Sequence, residues 1–221
     1  METKQFYLKN FNLASNFSEA QMTDLCAITY QKESRKGQVV YAKGGEKKIF
    51  ILISGKIKLA EISERGDEMI KELIHPGDLF GDITPVEQLN YEFAEVISER
   101  ASFLSIGYDQ FQRLMKANPS LAVNYLNMLS EKFKRLENRY VNMVTKDVKN
   151  RLLYYFTEWA KTEGKRLGDK IIIRNHLTHS DIANLISTSR QTVTVILNEL
   201  KEAGQIKYNR KEIEFYNLQG A

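Results

Sequence analysis

The side chains best suited to recognising another molecule lie in one short segment near the C-terminus, where residues 178–200 read THSDIANLISTSRQTVTVILNEL. The apolar spacing predicts two short helices joined by a tight turn. The second helix leaves four polar side chains pointing outward: Arg190, Gln191, Thr194 and Asn198. Such groups on one helix face can hydrogen-bond to base edges in the major groove, as we expect of Arg190, Gln191 and Thr194. The segment therefore predicts a DNA-binding helix-turn-helix.

Two helix starts and two apolar faces would hold this polar face in place. Thr178 with Asp181 has the spacing of a capping box, and Thr188 with Gln191 repeats it. Each helix also has apolar residues at helical spacing, which must pack on each other: Ile182, Ala183 and Ile186 on the first, and Val193, Ile196, Leu197 and Leu200 on the second. The alternative to a DNA-binding helix-turn-helix is an ordinary helical hairpin whose polar face is only solvated.

Length and composition limit the class of protein. A chain of 221 residues with 43% hydrophobic residues can build two domains with their own cores. The polar start METKQFYLKN has no signal-peptide pattern, and no apolar run approaches the ~20 residues that span a bilayer, so we expect a cytoplasmic protein without membrane contact. Cys26 is the only cysteine, which excludes an internal disulfide and a cysteine-held iron–sulfur cluster.

The excess positive charge lies in the C-terminal part of the chain. Residues 1–144 carry 19 Lys/Arg and 19 Asp/Glu, whereas residues 145–221 carry 13 and 9. A polyanion is therefore expected to bind the C-terminal part.

The N-terminal half has the pattern of an all-β domain. Ser18 and Gln21 mark the start of a helix, and from Gln38 to Ile106 short β-rich runs alternate with glycines at 45, 55, 66, 77 and 81. Strands of this length and spacing predict an antiparallel β-roll, in which we expect these glycines to form the positive-φ corners.

A long helix is predicted after a short one near Asp109–Ala117. Asn118 and Pro119 have the pattern of a cap followed by proline at the first helical position. Apolar residues then recur at alternating spacings of 4 and 3, which is the rhythm of a coiled-coil seam: Ala122, Leu126, Leu129, Phe133, Leu136, Tyr140 and Met143. We expect these residues to form a homodimer interface. The alternative is a helix that lies against its own β-roll.

The rest of the chain predicts the other parts of a winged helix-turn-helix. Residues 144–148 form the expected hinge, 151–161 an apolar helix and 170–174 a strand. Two further strands are predicted on either side of the turn Asn209–Lys211. Arg210 and Lys211 make this turn basic, and we expect them to contact the sugar-phosphate backbone. The predicted fold is α+β, with a β-roll sensor domain (1–117), a dimerisation helix and hinge (118–147) and a DNA-binding domain (148–221).

The order of these elements, with HPGDLFGDI at 75–83 and SDIANLISTSRQTVTVILNELKEAGQI at 180–206, closely resembles the cyclic-AMP receptor protein/fumarate–nitrate regulator family of bacterial transcription factors. The resemblance implies a cyclic-nucleotide-binding-like jelly roll and a homodimer on an approximately palindromic operator in double-stranded DNA. It also implies RNA polymerase as a partner if the protein is an activator.

The resemblance also assigns DNA contacts. It implies that Arg190, Gln191 and Val195 occupy the base-reading positions, where arginine can pair with guanine and glutamine with adenine. Val195 departs from the family's arginine and implies a different half-site. Four more residues match backbone-contacting positions: His179, Ser180, Ser189 and Thr192. Ser187 replaces the usual turn glycine.

The ligand positions of the family are changed in this chain. Cyclic-nucleotide binders carry a Gly-Glu pair and then Arg-Ser-Ala, whereas this sequence has Gly81-Asp82 and then Glu92-Phe93-Ala94. A carboxylate in place of the guanidinium would repel a cyclic phosphate. Leu136 and Glu137 replace the adenine-contacting Thr-Ser pair. We therefore expect no cyclic-nucleotide binding and no cofactor; the sensor domain has an unknown effector or none.

Two other functions compete with regulation of transcription. A metal-dependent β-roll enzyme needs several histidines with a carboxylate, but the chain has only His75, His176 and His179, and two of these lie in the C-terminal part. The sequence therefore predicts no metal site and no catalytic residue. A protein-interaction module without DNA binding would explain the roll and the long helix but not the residues at 178–200.

Overall fold

The computed structural model describes residues 2–9, 11–14, 16–83, 91–209 and 211–216. They form the predicted α+β fold, which packs as two units, residues 1–136 and 137–221. None of the helices in these described ranges is both long and apolar enough to cross a membrane.

The described residues of the first unit contain three short α-helices, a 3-10 turn at Asn12–Ala14, a β-roll and most of a long helix. Its helices are α1 (Glu2–Lys9), α2 (Glu19–Ala27) and α3 (Tyr108–Ala117). Its described strands are β1 (Thr29–Arg35), β2 (Val39–Ala42), β3 (Lys48–Ser54), β4 (Ile57–Ile62), β5 (Glu68–Ile74), β6 (Leu79–Gly81), β7 (Tyr91–Val96) and β8 (Arg100–Gly107). The capping box of Ser18 and Gln21 is confirmed at the start of α2. The sequence interpretation missed α1, which buries Leu8 completely.

Two four-stranded antiparallel sheets make the roll, with strand orders β1-β8-β3-β6 and β2-β7-β4-β5. Three phenylalanines pack in its core, where Phe50 stacks on Phe80 at a centroid distance of 5.0 Å and Phe103 meets Phe50 edge-on at 5.8 Å. All three belong to the sheet β1-β8-β3-β6, and they share a buried cluster with Tyr41 and Val96 of the other sheet. Aromatic side chains bury a large apolar area, so packing in this cluster holds the two sheets together.

Glycine is required at two close approaches in the roll. Gly55 and Gly81 both have φ of +91°, and a Cβ there would lie 2.4 Å from the Arg100 carbonyl and 2.6 Å from the Lys48 carbonyl respectively. The expected positive φ at Gly45 is wrong, because the neighbouring Gly44 takes that conformation instead.

The long helix α4 (Pro119–Thr145) begins at the predicted proline and runs through the boundary between the two units. The side-chain amide of Asn118, which was expected to cap it, is engaged by other helices. Its Nδ2 donates to the Leu114 carbonyl at 3.1 Å, and its Oδ1 accepts from Gln21 at 2.8 Å. This amide therefore ties α2 and α3 together.

The second unit combines the end of α4 with three helices and a four-stranded sheet. The helices are α5 (Val148–Glu163), α6 (His179–Leu185) and α7 (Arg190–Glu202). The strands are β9 (Lys165–Leu167), β10 (Lys170–Arg174), β11 (Ile206–Tyr208) and β12 (Glu212–Tyr216), in the order β11-β12-β10-β9. Phe156 of α5 packs against Phe215 of β12 at 5.4 Å between ring centroids. The helix, the strand and the strand pair predicted for this region are confirmed, whereas β9 was not predicted.

Candidate nucleic-acid interface

The capping box at the start of α6 is confirmed. The Asp181 N–H donates to Thr178 Oγ1 at 3.1 Å, and the Thr178 N–H donates to Asp181 Oδ2 at 2.7 Å. These bonds satisfy N–H groups that a helix start leaves without a partner inside the helix. They fix the residue at which α6 begins.

The turn between α6 and α7 differs from the sequence prediction by one residue. Ser187 has φ of +55° and is the only described non-glycine residue in the left-handed region. The Thr188 N–H donates to the Ala183 carbonyl at 3.0 Å, so Thr188 belongs to the turn. The prediction that Thr188 caps α7 is therefore wrong. Ser189 caps it, with its Oγ accepting from the Thr192 N–H at 3.0 Å.

Helices α6 and α7 pack through the apolar faces predicted for them. Every residue named for the two faces is buried: Ile182, Ala183, Ile186, Val193, Ile196, Leu197 and Leu200. The opposite face of α7 is thereby directed outward.

Three of the four proposed base-reading residues are exposed at the start of α7. Arg190 and Gln191 are open to solvent, and Val195 one turn later is 56% exposed. Thr194 differs, because it is half-buried and its hydroxyl already forms hydrogen bonds within the protein. This hydroxyl donates to the Arg190 carbonyl at 3.0 Å and lies 2.8 Å from Nδ1 of His179. A hydroxyl has one proton, so Thr194 could donate to a base edge only if its bond to the Arg190 carbonyl broke.

His179 connects α7 with the strand pair β11–β12, which we call the wing. Besides its bond to Thr194, its ring lies 5.3 Å from the ring of Tyr208 on β11. Burial, followed by the positive charge of Arg190, lowers the pKa of His179. The neutral imidazole is thus favoured in this position. The sequence identified His179 as a candidate but gave no signal for its contact with Tyr208.

The remaining candidate backbone contacts have different surroundings. Ser180 and Lys211 are exposed. The Ser189 and Thr192 hydroxyls lie 2.8 Å apart and bond to each other. Arg210 falls outside the described residues. Of the proposed backbone-contacting side chains that the structure describes, the ammonium of Lys211 is the strongest attraction for a phosphate.

Two asparagines that the sequence interpretation did not select shape the wing. Asn209 Oδ1 accepts from the backbone N–H groups of Lys211 and Glu212 at 2.7 and 2.9 Å. Buried Asn175 donates from Nδ2 to the Tyr208 hydroxyl at 3.2 Å, and its Oδ1 accepts from the Leu177 N–H at 2.9 Å. Asparagine commonly forms such local bonds in turns, so Asn209 had a recognisable signal, whereas the distant partner of Asn175 had none.

Part of the positive charge of this unit is neutralised internally. Glu214 lies 3.0 Å from the ammonium of Lys170 and 3.3 Å from that of Lys207. Its hydrogen bonds, first that from Lys170 and then that from Tyr216, lower the pKa of Glu214 to about 2. Lys170 and Lys207 are therefore engaged by a carboxylate of their own unit before any polyanion binds.

In the roll, the family resemblance places Asp82 at the position of a ligand-binding glutamate, and the carboxylate of Asp82 already has hydrogen-bond donors. It is 8% exposed and accepts from the Tyr41 hydroxyl at 3.2 Å, the Lys43 ammonium at 3.4 Å and the Lys48 backbone N–H at 3.1 Å. Burial, together with the negative charge of Asp82, raises the pKa of Tyr41. Tyr41 therefore stays a neutral donor.

Glu92, which the family resemblance places at the position of a phosphate-binding arginine, is also paired. Its carboxylate lies 2.6 Å from the Lys71 ammonium, which is 3.5 Å from Glu61. Lys71 is shared between two carboxylates, so this group of side chains offers no excess positive charge to a phosphate.

The outer face of α4 carries a continuous apolar stripe. Leu126, Phe133, Leu136 and Tyr140 are each 60% exposed or more, and Met143 is 39% exposed. Ala122 and Leu129, which the sequence placed in the same seam, are half-buried. Large side chains thus lie in solvent at the spacing of a helix–helix interface.

Comparison with known proteins gives matches over both units. Residues 31–118 match a family described as the cyclic nucleotide-binding domain, and residues 150–220 match one described as the Crp-like helix-turn-helix domain.

Two individual relatives are named as global regulators, and a solved structure shares the fold. The CRP-like cAMP-activated global transcriptional regulator of Mycobacterium tuberculosis is 23% identical over 205 residues, which cover 90% of this chain and 91% of that protein. The global nitrogen regulator of Synechocystis is 26% identical over 172 residues, covering 77% and 76%. A mutant of CooA from Carboxydothermus hydrogenoformans has the same fold, with a TM-score of 0.73, 22% identity and coverage of 97% and 96%.

Proposed function

We propose, from the premise that this chain belongs to the cyclic-AMP receptor protein/fumarate–nitrate regulator family of DNA-binding transcription regulators, that it acts as a homodimer on an approximately palindromic operator. Its α7 enters the major groove, and its wing lies along the neighbouring backbone. RNA polymerase is the partner we expect if the protein activates transcription. We propose no catalytic role, since the relatives are regulators.

The observation that carries this proposal is the placement of Arg190 and Gln191. Both are exposed in the first turn of a helix whose start is fixed by Ser189 and whose opposite face is buried. The guanidinium can donate two bonds to guanine, and the amide can donate and accept with adenine. Val195, which cannot hydrogen-bond, is suited to contact with a thymine methyl group.

The apolar stripe on α4 supports the homodimer. Exposed side chains such as Phe133 and Leu136 lose contact with water when two copies of the helix pack together. The spacings of 4 and 3 allow such packing along three heptads. A symmetric pair would then present two copies of α7 to two half-sites.

The paired states of Asp82 and Glu92 support an effector other than a cyclic nucleotide, or none. A cyclic phosphate would have to approach Glu92, and a ribose hydroxyl would have to compete with Tyr41 and Lys48 for Asp82. Relatives differ in this respect, since one is called cAMP-activated and another a nitrogen regulator.

Selection of bound sequences from a random duplex pool tests the proposal directly. We expect two inverted half-sites about one helical turn apart. Affinity should also fall steeply with salt, because DNA binding releases counterions. Failure to retain any duplex at low salt would favour the protein-interaction module and contradict the proposed function.

Two substitutions separate base reading from backbone contact. Arg190→Ala should relax the preference at one base pair per half-site by about 1–3 kcal/mol, because one bidentate contact is lost. Lys211→Ala should weaken binding to all duplexes alike and reduce the salt slope. Equal effects of Arg190→Ala on every sequence would show that Arg190 does not read bases.

Analytical ultracentrifugation tests the proposed homodimer by measuring the oligomeric state in solution. Replacing Leu136 with glutamate places a charge in the exposed stripe and should convert dimers to monomers with loss of operator affinity. The matched control is Asn138→Glu, which also adds one negative charge, at an exposed position of the same helix outside the seam. A wild-type protein that sediments as a monomer at working concentrations would contradict the homodimer.

A further inference from the structure

One guanidinium in the second unit bonds to carbonyls from two separate parts of the chain. Arg151, in the first turn of α5, donates from Nε to the Ile186 carbonyl at 2.9 Å and from Nη2 to that of Ser187 at 3.3 Å. Its Nη1 donates to the carbonyls of Lys146 at 3.0 Å and Met143 at 3.4 Å. A single planar group thus joins the end of α4 to the turn before α7.

Two of these carbonyls, those of Met143 and Ser187, are available to accept a side-chain hydrogen bond for a structural reason. The last carbonyls of a helix have no partner within it, which applies to Met143 near the end of α4 and leaves them open to a side-chain donor. Ser187 has φ of +55°, so the chain reverses at that point and leaves the regular helix. The rigid guanidinium can bond to several acceptors in fixed directions, whereas a lysine ammonium cannot reproduce that geometry.

Two further contacts join the same parts. Arg139 of α4 donates to the Asn184 carbonyl of α6 at 3.5 Å, and the Ser187 hydroxyl lies 3.7 Å from the sulfur of Met143. The end of α4 is therefore connected to α6 and the turn after it by contacts other than those of Arg151.

These bonds cross the segment that the sequence suggested as a hinge. That segment, residues 144–148, contains the end of α4 and the start of α5, with only Lys146 and Asp147 between the two helices. Arg151 contacts carbonyls at 143 and 146 and also carbonyls in the turn beyond α6. Rotation of α7 relative to the end of α4 would have to break several charge-assisted hydrogen bonds together.

We propose that Arg151 is a positioning residue that fixes the direction of α7 relative to the end of α4, and thereby the distance between the two half-sites that a dimer reads. This inference rests on the proposed homodimeric, DNA-binding function. It assigns Arg151 no contact with DNA. Its loss should therefore change spacing preference rather than base preference.

The test measures binding of wild type and Arg151→Ala to the selected operator and to operators with one base pair added or removed between the half-sites. The variant should bind the selected operator about tenfold more weakly, from the loss of hydrogen bonds to a charged donor. It should also lose less affinity than wild type when the spacing changes. Base preference opposite Arg190 should stay unchanged.

Lys161→Ala is the matched control, since it removes one positive charge from the same helix, where Lys161 is exposed and pairs with Glu158 at 3.2 Å. It should keep the wild-type spacing preference. Arg151→Lys keeps the charge but not the planar fork, so it should also weaken spacing discrimination. It serves as the test variant if Arg151→Ala does not fold. A folded variant with the wild-type spacing penalty would overturn the proposal.

Hydrogen exchange distinguishes failure of this inference from failure of the proposed function. If wild type shows no spacing dependence, the dimeric function is wrong, but the role of Arg151 can still be measured. Exchange should accelerate together in residues 143–148 and 184–188 of Arg151→Ala. Unchanged exchange in either segment would show that Arg151 does not join them.

Discussion

Polar side chains occupy the recognition positions of both units, but their surroundings differ. In the roll, Asp82 accepts three hydrogen bonds and Glu92 is paired with Lys71. On α7, Arg190 and Gln191 extend into solvent from a capped helix start. The same family architecture thus uses its polar residues internally in one unit and presents them outward in the other.

This difference supports the proposal that recognition is carried by α7 and not by these polar groups of the roll. A polar group that is buried and satisfied contributes to stability, and a ligand must replace its bonds before it can bind. An exposed group loses little when it exchanges water for a base edge. Residue type alone would not separate the two cases, because charged side chains occur at both sites.

The largest effect expected from this comparison is on folding stability at Asp82. Asp82→Ala leaves the Tyr41 hydroxyl and the Lys48 N–H without their acceptor and should lower the free energy of unfolding by about 2–4 kcal/mol. Chemical denaturation measures this change. The exposed control Glu64→Ala should be close to neutral. Arg190→Ala should leave stability nearly unchanged, so a large loss there would break the distinction between the two units.

A smaller effect is expected at Glu92. Glu92→Gln weakens the ion pair with partly exposed Lys71 and should reduce stability by about 1 kcal/mol or less, because solvent screens the charges. Titration calorimetry with cyclic AMP or cyclic GMP should show no saturable binding to wild type or to the variant. Micromolar affinity in either protein would contradict our interpretation of the roll.

The smallest effect concerns His179 and pH. Burial and Arg190 lower the pKa of His179 in the folded protein, so folding favours the neutral ring. Its contribution to stability is fully present above the unfolded pKa of about 6.5 and declines as the pH falls through the lower folded value. Thermal unfolding of wild type should therefore lose more stability than His179→Gln between pH 8 and pH 5.5. Identical losses would show that His179 titrates normally.

Sequence periodicity predicted the helix-turn-helix and its cores because burial in a short helical pair follows local spacing. Ile182 and Val193 are buried as expected, and Thr178 caps α6. The start of α7 was wrong by one residue. Thr188 and Ser189 are both suitable caps, and only the backbone at Ser187 determines which of them is used.

Sequence by itself determined the α+β order, the apolar faces of the helix-turn-helix, the apolar spacing on α4 and the family, because these depend on residue type and short-range spacing. Tertiary structure alone decided which polar groups are free to recognise another molecule. Thr194 faces outward by spacing but bonds to His179, and Arg151 meets carbonyls up to 36 positions away. Hydrogen-bond partners that are distant in sequence leave no periodic signal, because they are chosen by the packing of whole elements.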